Sequence, residues 1–292
     1  MAIVWATNVG QARGKIGMNV YSVNAGDTVA RQKAFMPRNP KTYAQMARRV
    51  RWANMVSFFR SFSGDLHPSF EGKAPRVSDF NEFLRQNING TPVYLTSREA
   101  SQGACVVAAY QITKGTLPSI SVTAGTGDVP VSNISLGSLV IDQLTNLGEF
   151  SFAVIENNPN FRNGDCISVF ICTQEQNSVT GIPYAEVQAY QVTLNVADVE
   201  TLLSDLVPAN GFSTVDAKLG ASGVVVGGIT WVHSRIDGSE TLVSSQQLFV
   251  NNALLSQYQT QAKKEEAILS YKGNLVKDFL TPTRIYDVNV QI

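Results

Sequence analysis

The stretch VQAYQVTLNV, residues 187–196, determines the fold class that the sequence predicts. Apolar and polar side chains alternate along it: Tyr190, Val192, Leu194 and Val196 against Gln191, Thr193 and Asn195. Because successive side chains of a strand point to opposite faces, this alternation is typical of a strand with one face in a core and the other in solvent. The chain is therefore expected to build its core from β-structure.

Six further runs have the short, apolar, turn-bounded character of strands: Val93–Thr96, Ala104–Thr113, Ser119–Thr123, Ser138–Ile141, Glu149–Ile155 and Cys166–Thr173. Asn163-Gly164 is a turn signal, and Asp237-Gly238 joins two strand-like runs as a tight hairpin. Many short strands separated by turns predict a mainly β fold, either a β-sandwich of the immunoglobulin-like kind or a barrel.

The amino-terminal region is predicted to be helical. Asn39-Pro40 is a strong helix start, with Asn as the cap and Pro at the first helical position. Apolar spacing then predicts a helix to about Phe62, and a second helix from Ser78 or Asp79 to Gln86. The sequence thus divides into a basic, helix-containing region at 1–91 and a β-sandwich domain at 92–197.

The remaining residues, 198–292, are predicted to form a second β-rich region with helices and a terminal strand. Asp198–Val207 has the pattern of a short helix, and Asn252–Tyr271 has that of a longer polar helix near the carboxy terminus. Arg284–Ile292 alternates apolar and polar residues, which predicts a strand paired in its own sheet or on the edge of a neighbouring subunit.

Composition favours a protein whose surface is partly covered by neighbours. Hydrophobic residues make up 44% of the 292 residues and charged residues 16%, against the roughly 25% charged residues of ordinary soluble domains. Through Lys114 there are 15 Lys and Arg against 6 Asp and Glu, a net charge of +9, and the remainder has 8 against 17, a net charge of −9. Opposite charges of this kind steer assembly and fix its register.

The residues that could perform catalysis are few and scattered. His67 and His233 have no Cys, Ser or carboxylate at the spacing of a triad or metal motif. The loop 157–165 is rich in oxygen donors but lacks the acidic spacing of a Ca²⁺ loop. A glycan hydrolase would need paired carboxylates in a cleft, whereas Glu265-Glu266 lie on a charged helix. The sequence predicts no enzyme, no cofactor and no metal.

The sequence also carries indications of where the protein is made. Its three cysteines, Cys105, Cys166 and Cys172, form no CxxC pair, which indicates a reducing compartment. Residues 1–17 show no secretory signal, and no apolar run reaches the roughly 18 residues of a membrane helix. We expect synthesis in a bacterial cytoplasm and no membrane partner.

The candidate interaction residues lie in the basic amino-terminal segment. They are arginines interleaved with aromatic residues, together with the helix start: Arg31, Arg38, Asn39, Pro40, Arg48, Arg49, Arg51 and Trp52. Arginine and aromatic residues are enriched in protein interfaces, and the same pair can bind phosphates and stack on bases. An interface between subunits is favoured over direct contact with nucleic acid.

One part of this segment resembles a known family. The pattern is Gly14-Lys15-x-Gly17, Val20-Tyr21, Arg31 and then Asn39-Pro40-Lys41-Thr42-x-x-Gln45-x-x-Arg48-Arg49. It resembles the amino-terminal signature of an uncharacterised domain family found in Bacteroidetes and in the phages that infect them, and it covers roughly residues 10–60. The resemblance implies no activity and no functional residues, but it implies a phage or prophage setting.

Together these features predict a non-enzymatic structural protein of a bacteriophage virion. The expected place is the tail, the neck or another head-to-tail element, and the expected partners are copies of the chain and other virion proteins. Two alternatives stay open. One is a capsid decoration or a receptor- or glycan-binding appendage, for which Trp231 is the obvious aromatic candidate, and the other is a virion protein that contacts DNA.

Overall fold

The computed structural model describes residues 2–4, 13–24, 27–33, 42–62, 68–74 and 76–280. The chain divides into two compact units, Met1–Thr42 and Tyr43–Ile292. The boundaries suggested by the sequence, 91/92 and 197/198, both fall inside the second unit. The predicted helix start at Asn39-Pro40 and the predicted terminal strand Arg284–Ile292 lie outside the described residues.

The first unit contains a four-stranded antiparallel sheet. Its strands are β1 (Ala2–Val4), β2 (Gly14–Ile16), β3 (Asn19–Asn24) and β4 (Asp27–Gln32), in the order β1-β4-β3-β2. Gly17 lies in the turn between β2 and β3 with φ +57°, a left-handed conformation that glycine adopts without steric penalty. This explains physically why the Gly14-Lys15-Ile16-Gly17 motif ends in glycine.

The described part of the second unit contains six α-helices and twelve strands. The helices are α1 (Tyr43–Arg60), α2 (Asp79–Asn87), α3 (Ser97–Ser101), α4 (Leu147–Asn157), α5 (Leu203–Leu206) and α6 (Gln261–Leu280), with a 3-10 turn at Leu255–Tyr258 before α6. The strands are β5 (Ser69–Phe70), β6 (Gln111–Lys114), β7 (Val122–Ala124), β8 (Pro130–Ser135), β9 (Cys166–Gln176), β10 (Pro183–Thr193), β11 (Ser213–Val215), β12 (Lys218–Gly220), β13 (Gly227–Asp237), β14 (Glu240–Val243), β15 (Gln246–Gln247) and β16 (Phe249–Asn251).

These strands form three sheets. The largest is antiparallel with the order β10-β9-β13-β14, and β16 pairs with the first residues of β13 on the edge opposite β9. A second sheet has the order β11-β12-β8-β7, and a third has the order β15-β6-β5, in which β5 runs parallel to β6. The strand-rich fold that the sequence predicts is therefore confirmed, while no barrel closes among the described residues.

The central sheet carries a hydrophobic core on each face. Val169 and Ile171 of β9 pack into a core shared with α4 and β8, whereas Phe170 and Cys172 pack into a core shared with α1 and α2. Because both faces of β9 are covered, its sequence is an almost continuous apolar run rather than an alternation. Pairing of β9 with β13 joins distant residues into one sheet, for example Ile171 with Ile229, which are 58 positions apart.

Several predicted elements are confirmed, with shifted ends. Cys166–Thr173 lies within β9, and the alternating stretch at 187–196 corresponds to β10, which ends at Thr193. Asp237 and Glu240 pair across the predicted hairpin, with Gly238 at φ +63°. The helix predicted to end near Phe62 is α1, and the second helix is α2, where the Ser78 hydroxyl accepts the Asn81 N–H at 3.3 Å as an N-cap.

The two carboxy-terminal helices also differ in their limits. The short helix expected over Asp198–Val207 is reduced to α5, because the Asp198 carboxylate binds the N–H groups of Glu200 and Thr201 in a turn. The polar helix expected over Asn252–Tyr271 begins later, at Gln261, and continues past Gly273 to Leu280.

Three predicted strands are wrong, and two of them have neither strand nor helix in their place. Val93–Thr96 forms no strand because Thr96 is the N-cap of α3, with its hydroxyl accepting the Glu99 N–H at 3.2 Å. Ser138–Ile141 follows a turn at Gly137, where φ is +61°. The run Ser119–Thr123 contributes only β7, and Ala104–Thr113 contributes only the start of β6.

Glu149–Ile155 was predicted as a strand and is helix α4, which corrects the sequence-based assignment. The Asn146 side chain accepts the Glu149 N–H at 2.9 Å as an N-cap. Leu147, Phe150 and Val154 are buried at helical spacing. The run of Phe, Ser, Phe, Val and Ile has strand propensity, but a cap and a core face at helical period decide in favour of the helix.

Candidate interaction surface on helix α1

Helix α1 is fixed to the core by one buried amide. Asn54 is 0% exposed, and its Nδ2 donates to the Val106 carbonyl at 2.8 Å and to the Tyr110 hydroxyl at 2.8 Å. Its Oδ1 accepts the Val106 N–H at 2.7 Å. A side-chain amide has the same donor and acceptor as a peptide group, so Asn54 takes the place of a neighbouring strand at Val106.

Other side-chain amides bind the backbone of the buried segment 104–111 in the same way. The Val107 N–H binds the Gln174 Oε1 at 2.8 Å, and the Val107 carbonyl accepts from Asn252 Nδ2 at 2.9 Å. At Gln111, both backbone groups bind the Asn87 amide. Most of this extended segment has no strand partner in the described structure, so side-chain amides form the hydrogen bonds that its backbone needs. Because Asn54 and Asn87 belong to α1 and α2, these bonds also hold the two helices in place.

A groove of about 610 Å³ runs along the side of α1 that faces away from this anchor. It is lined by α1 residues from Gln45 to Arg60, together with Ala100 of α3 and Tyr271 of α6. We call it the α1 groove. Trp52, Ala53 and Val56 contribute apolar surface to it, and Trp52 is 45% exposed.

Arginines surround this apolar surface. Arg48 and Arg49 lie towards the amino-terminal end of the α1 groove and Arg60 towards the other end, and all three are exposed. Burial raises the pKa of the Tyr271 hydroxyl, and the nearby positive charge of Arg49 opposes that rise. Tyr271 therefore stays protonated at neutral pH and can donate a hydrogen bond to an acceptor in the groove.

A second concave surface lies on the other side of Arg48. It measures about 350 Å³ and is lined in part by Arg48, Arg51, Tyr94 and Lys264. Arg51 is half-buried, and its Nη1 donates to the Ile88 carbonyl at 3.0 Å, so it ties α1 to the end of α2. The positive charge of α1 thus borders two adjacent depressions.

The structure brings some of the predicted interaction residues together. Arg48, Arg49 and Trp52 line one groove, and Arg51 borders the next depression. Arg31 lies on β4 of the first unit, where it is exposed. Arg38, Asn39 and Pro40 lie outside the described residues.

A buried ionic cluster is the feature that the sequence did not reveal. Asp165 accepts from His233 Nε2 at 2.8 Å and from Arg235 Nη2 at 2.6 Å. His233 stacks on Phe161, with ring centroids 4.2 Å apart. Asp165 is 2% exposed and His233 1%, so neither is open to a substrate. The Asn163-Gly164 turn and the pairing of β9 with β13 bring these distant residues together, which spacing along the chain does not show.

The pKa values of this cluster follow from burial and charge. Burial acts to raise the pKa of Asp165, but hydrogen bonds from Arg235 and His233 outweigh it and hold the pKa below its usual value. Burial lowers the pKa of His233, against the opposing effect of Asp165. The cluster links the loop before β9 to β13 and has the character of a structural ion pair.

Several oxygen atoms of the loop 157–165 that could coordinate a cation instead accept hydrogen bonds within the protein. The Asn158 Oδ1 accepts the Ser135 N–H at 2.9 Å, and the Asn160 carbonyl accepts from Arg235 at 2.8 Å. The Asp165 carboxylate is held by His233 and Arg235 as above. Across the described residues, no group of three or more His, Cys, Asp or Glu side chains is arranged to hold a metal ion.

Trp231, the aromatic candidate for glycan binding, is buried. It is 0% exposed, and its Nε1 donates to the Gly211 carbonyl at 2.9 Å. A ring packed inside the core offers no stacking surface to a sugar, so Trp231 is corrected to a core residue.

No protein-family model, no curated protein and no solved structure matches this chain. Within the described part of the chain, no helix combines the length and the apolar character needed to cross a membrane.

Proposed function

We propose that this chain is a non-enzymatic structural protein of a bacteriophage virion that acts by assembling into a multimer in the tail, neck or head-to-tail region. The α1 groove is the observation that carries the proposal. It combines an exposed tryptophan, an apolar floor and three arginines on a helix anchored by a buried amide. Rigid aromatic and arginine side chains are the residue types that dominate the energetics of protein interfaces.

Two further features support assembly. Large apolar side chains are exposed, among them Val179 at 90% and Leu144 at 79%, which both lie in turns. The resemblance of residues 10–60 to a family of Bacteroidetes and their phages implies a phage or prophage setting, and the virion role is proposed on that basis. The net charges of +9 through Lys114 and −9 beyond it favour contact between unlike surfaces of neighbouring subunits.

Electron microscopy of the purified full-length protein tests this function. The expected image is a closed ring, a fibre or a shell built from repeated subunits. Isolated single subunits at every protein concentration would contradict it.

A DNA-contacting virion protein is the second candidate, and Arg48, Arg49 and Trp52 in one groove are the observation that favours it. Cations that bind phosphates beside a ring that stacks on bases are typical of single-strand binding. Filter binding of wild type and of the Arg48→Glu/Arg49→Glu variant tests it. Retention of DNA that the double variant loses would support this candidate.

A further inference from the structure

Helix α4 presents an exposed face with an aromatic ring between two carboxylates. Glu149, Phe152 and Glu156 follow one another at positions i, i+3 and i+7, so they share one side of the helix. All three are exposed, and Phe152 is 56% exposed, while Phe150, Ala153 and Val154 face the core. Phe152 belongs to none of the buried hydrophobic clusters found among the described residues.

The loop 195–206 extends this face. It is fixed to α4 by a hydrogen bond from the Gly148 N–H to the Asp198 carbonyl at 2.6 Å and by one from the Asn195 N–H to the Ser151 hydroxyl at 2.9 Å. A Cβ atom at Gly148 would lie 2.9 Å from the Asp198 carbonyl oxygen, so only glycine permits this approach. The exposed Val199, at 66%, therefore belongs to a surface of fixed geometry.

The charged side chains on α4 and on the segment beside it are acidic. The segments 115–161 and 194–217 contain no Lys or Arg. On α4, in the turn before it and in the segment 198–205, they carry six exposed or half-buried carboxylates: Asp142, Glu149, Glu156, Asp198, Glu200 and Asp205. Hydrogen bonds from the Leu144 N–H and the Thr145 hydroxyl lower the pKa of Asp142, and hydrogen bonds from Thr201 lower that of Asp198, so both are ionised at neutral pH. We call the surface formed by Glu149, Phe152, Glu156 and the adjacent Val199 the α4 face.

The chemistry of the α4 face limits what can cover it. Nucleic acids and anionic lipid surfaces are repelled by its carboxylates. A suitable partner offers an apolar depression for the ring of Phe152 and cations on either side of that depression. The α1 groove has this composition, with Trp52 and Val56 in its middle and arginines towards both ends.

The dimensions of the two surfaces agree. At a rise of about 1.5 Å per residue, the seven steps from Glu149 to Glu156 span about 10 Å, and the eleven steps from Arg49 to Arg60 span about 16 Å. The long, flexible arginine side chains can reach inward over the difference of about 6 Å while their stems cover apolar surface.

We propose that the α1 groove of one subunit receives the α4 face of a second copy of this chain, with Phe152 against Trp52 and Val56, and Glu149 and Glu156 against the groove arginines. The inference rests on the proposed function, because it names the contact by which the subunits assemble. The two surfaces lie on different elements, so the contact is heterologous. Repetition of a heterologous contact produces a ring when the rotation closes and a filament when it does not.

Charge reversal tests the contact in the full-length protein. The Glu149→Lys/Glu156→Lys variant and the Arg48→Glu/Arg60→Glu variant are each expected to weaken self-association on the order of tenfold or more, because like charges then face each other. An equimolar mixture of the two variants is expected to reassemble with the variants alternating. The altered α4 face of one variant then meets the altered α1 groove of the other, and the two unaltered surfaces meet as in the wild type. The matched control is Glu175→Lys/Glu240→Lys, which makes the same charge change on exposed residues away from both surfaces.

Light scattering supplies the masses, and circular dichroism melting curves show whether each variant is folded. A wild-type multimer that both reversals leave intact would overturn this inference while the assembly function stands, whereas a wild-type monomer would remove the assembly function itself. Loss of the wild-type multimer on nuclease treatment would assign the α1 groove to nucleic acid. Arginine variants that lower the melting temperature without changing the mass would assign it to another segment of the same chain. Either of these last two results would also overturn the inference.

Discussion

Substitution of the buried Asp165 is expected to destabilise the fold strongly. The Asp165 carboxylate is bonded to both His233 and Arg235. We expect Asp165→Asn to lower the free energy of unfolding by on the order of 3 kcal/mol, because it removes one partner of a buried ion pair. Urea unfolding measures the change. Glu175→Gln, on an exposed carboxylate, is the control, and equal effects of the two variants would contradict the assignment.

His233 makes stability depend on pH. Its pKa is lowered by burial in the folded state, so its contribution is fully present above the unfolded pKa of about 6.5 and is lost as the pH falls through the folded pKa. We expect the free energy of unfolding to fall as the pH is lowered below about 6.5. The His233→Gln variant should lose this part of the dependence. An unchanged pH profile in that variant would show that His233 is not its source.

Asp165 extends the same dependence to lower pH. Since its folded pKa is below the unfolded value of about 3.9, its contribution is present above that value and disappears as the pH falls through the folded pKa. Both groups therefore lower the free energy of unfolding as the pH falls, His233 first and Asp165 at lower pH.

The Asn54 amide is expected to matter for folding more than any surface residue of α1. We expect Asn54→Ala to reduce the free energy of unfolding by about 3 kcal/mol, because it leaves the Val106 backbone and the Tyr110 hydroxyl without partners in the core. Asn89→Ala, at an exposed position, should change it by less than about 0.5 kcal/mol. Thermal melting distinguishes the two, and a tolerated Asn54→Ala would contradict the anchoring role.

At the scale of elements, α1 combines an anchored face with an interaction face. We expect Trp52→Ala to weaken self-association while leaving the melting temperature nearly unchanged, since the ring is 45% exposed and lines the α1 groove. Tyr43→Ala is the matched control because Tyr43 is an exposed aromatic residue on the same helix, 50% exposed, and does not line the groove. Sedimentation velocity measures both variants, and equal effects would argue against the groove.

The elements also show what the sequence could and could not predict. Elements that depend on a local pattern could be predicted. The alternation at 187–196 is confirmed by β10, the apolar run at 166–173 by β9, and the Ser78 cap by α2. Helix α4 was missed because the strand propensity of Phe150, Phe152 and Ile155 hid a helical core face. The Asn146 cap and the buried pair Leu147 and Phe150 carried the correct signal.

Contacts between distant residues could not be predicted in the same way. The Asn54 amide meets Val106 across 52 positions, and Asp165 meets His233 across 68. Neither pair has a local pattern, because each depends on how α1 and β13 pack in three dimensions. Arg48 and Arg49 of the α1 groove can be identified from the sequence, but the groove itself exists only because α3 and α6 pack beside α1.

At the scale of the whole molecule, function is proposed to lie in shape and contact surface. The linked titratable groups Asp165 and His233 are buried. The exposed features are an apolar groove bordered by arginines and an apolar face bordered by carboxylates. Copies of this chain are expected to bind one another, with the basic groove of one subunit against the acidic face of the next. Salt should weaken that binding.

Light scattering of the purified wild-type protein at about 0.05 M and about 1 M salt, where the Debye length falls from more than 10 Å to about 3 Å, tests this claim most directly. Assembly through unlike charged surfaces predicts a mass several times the 31.7 kDa of one chain at low salt and a shift towards the single-chain mass at high salt. A single-chain mass at both salt concentrations would contradict it.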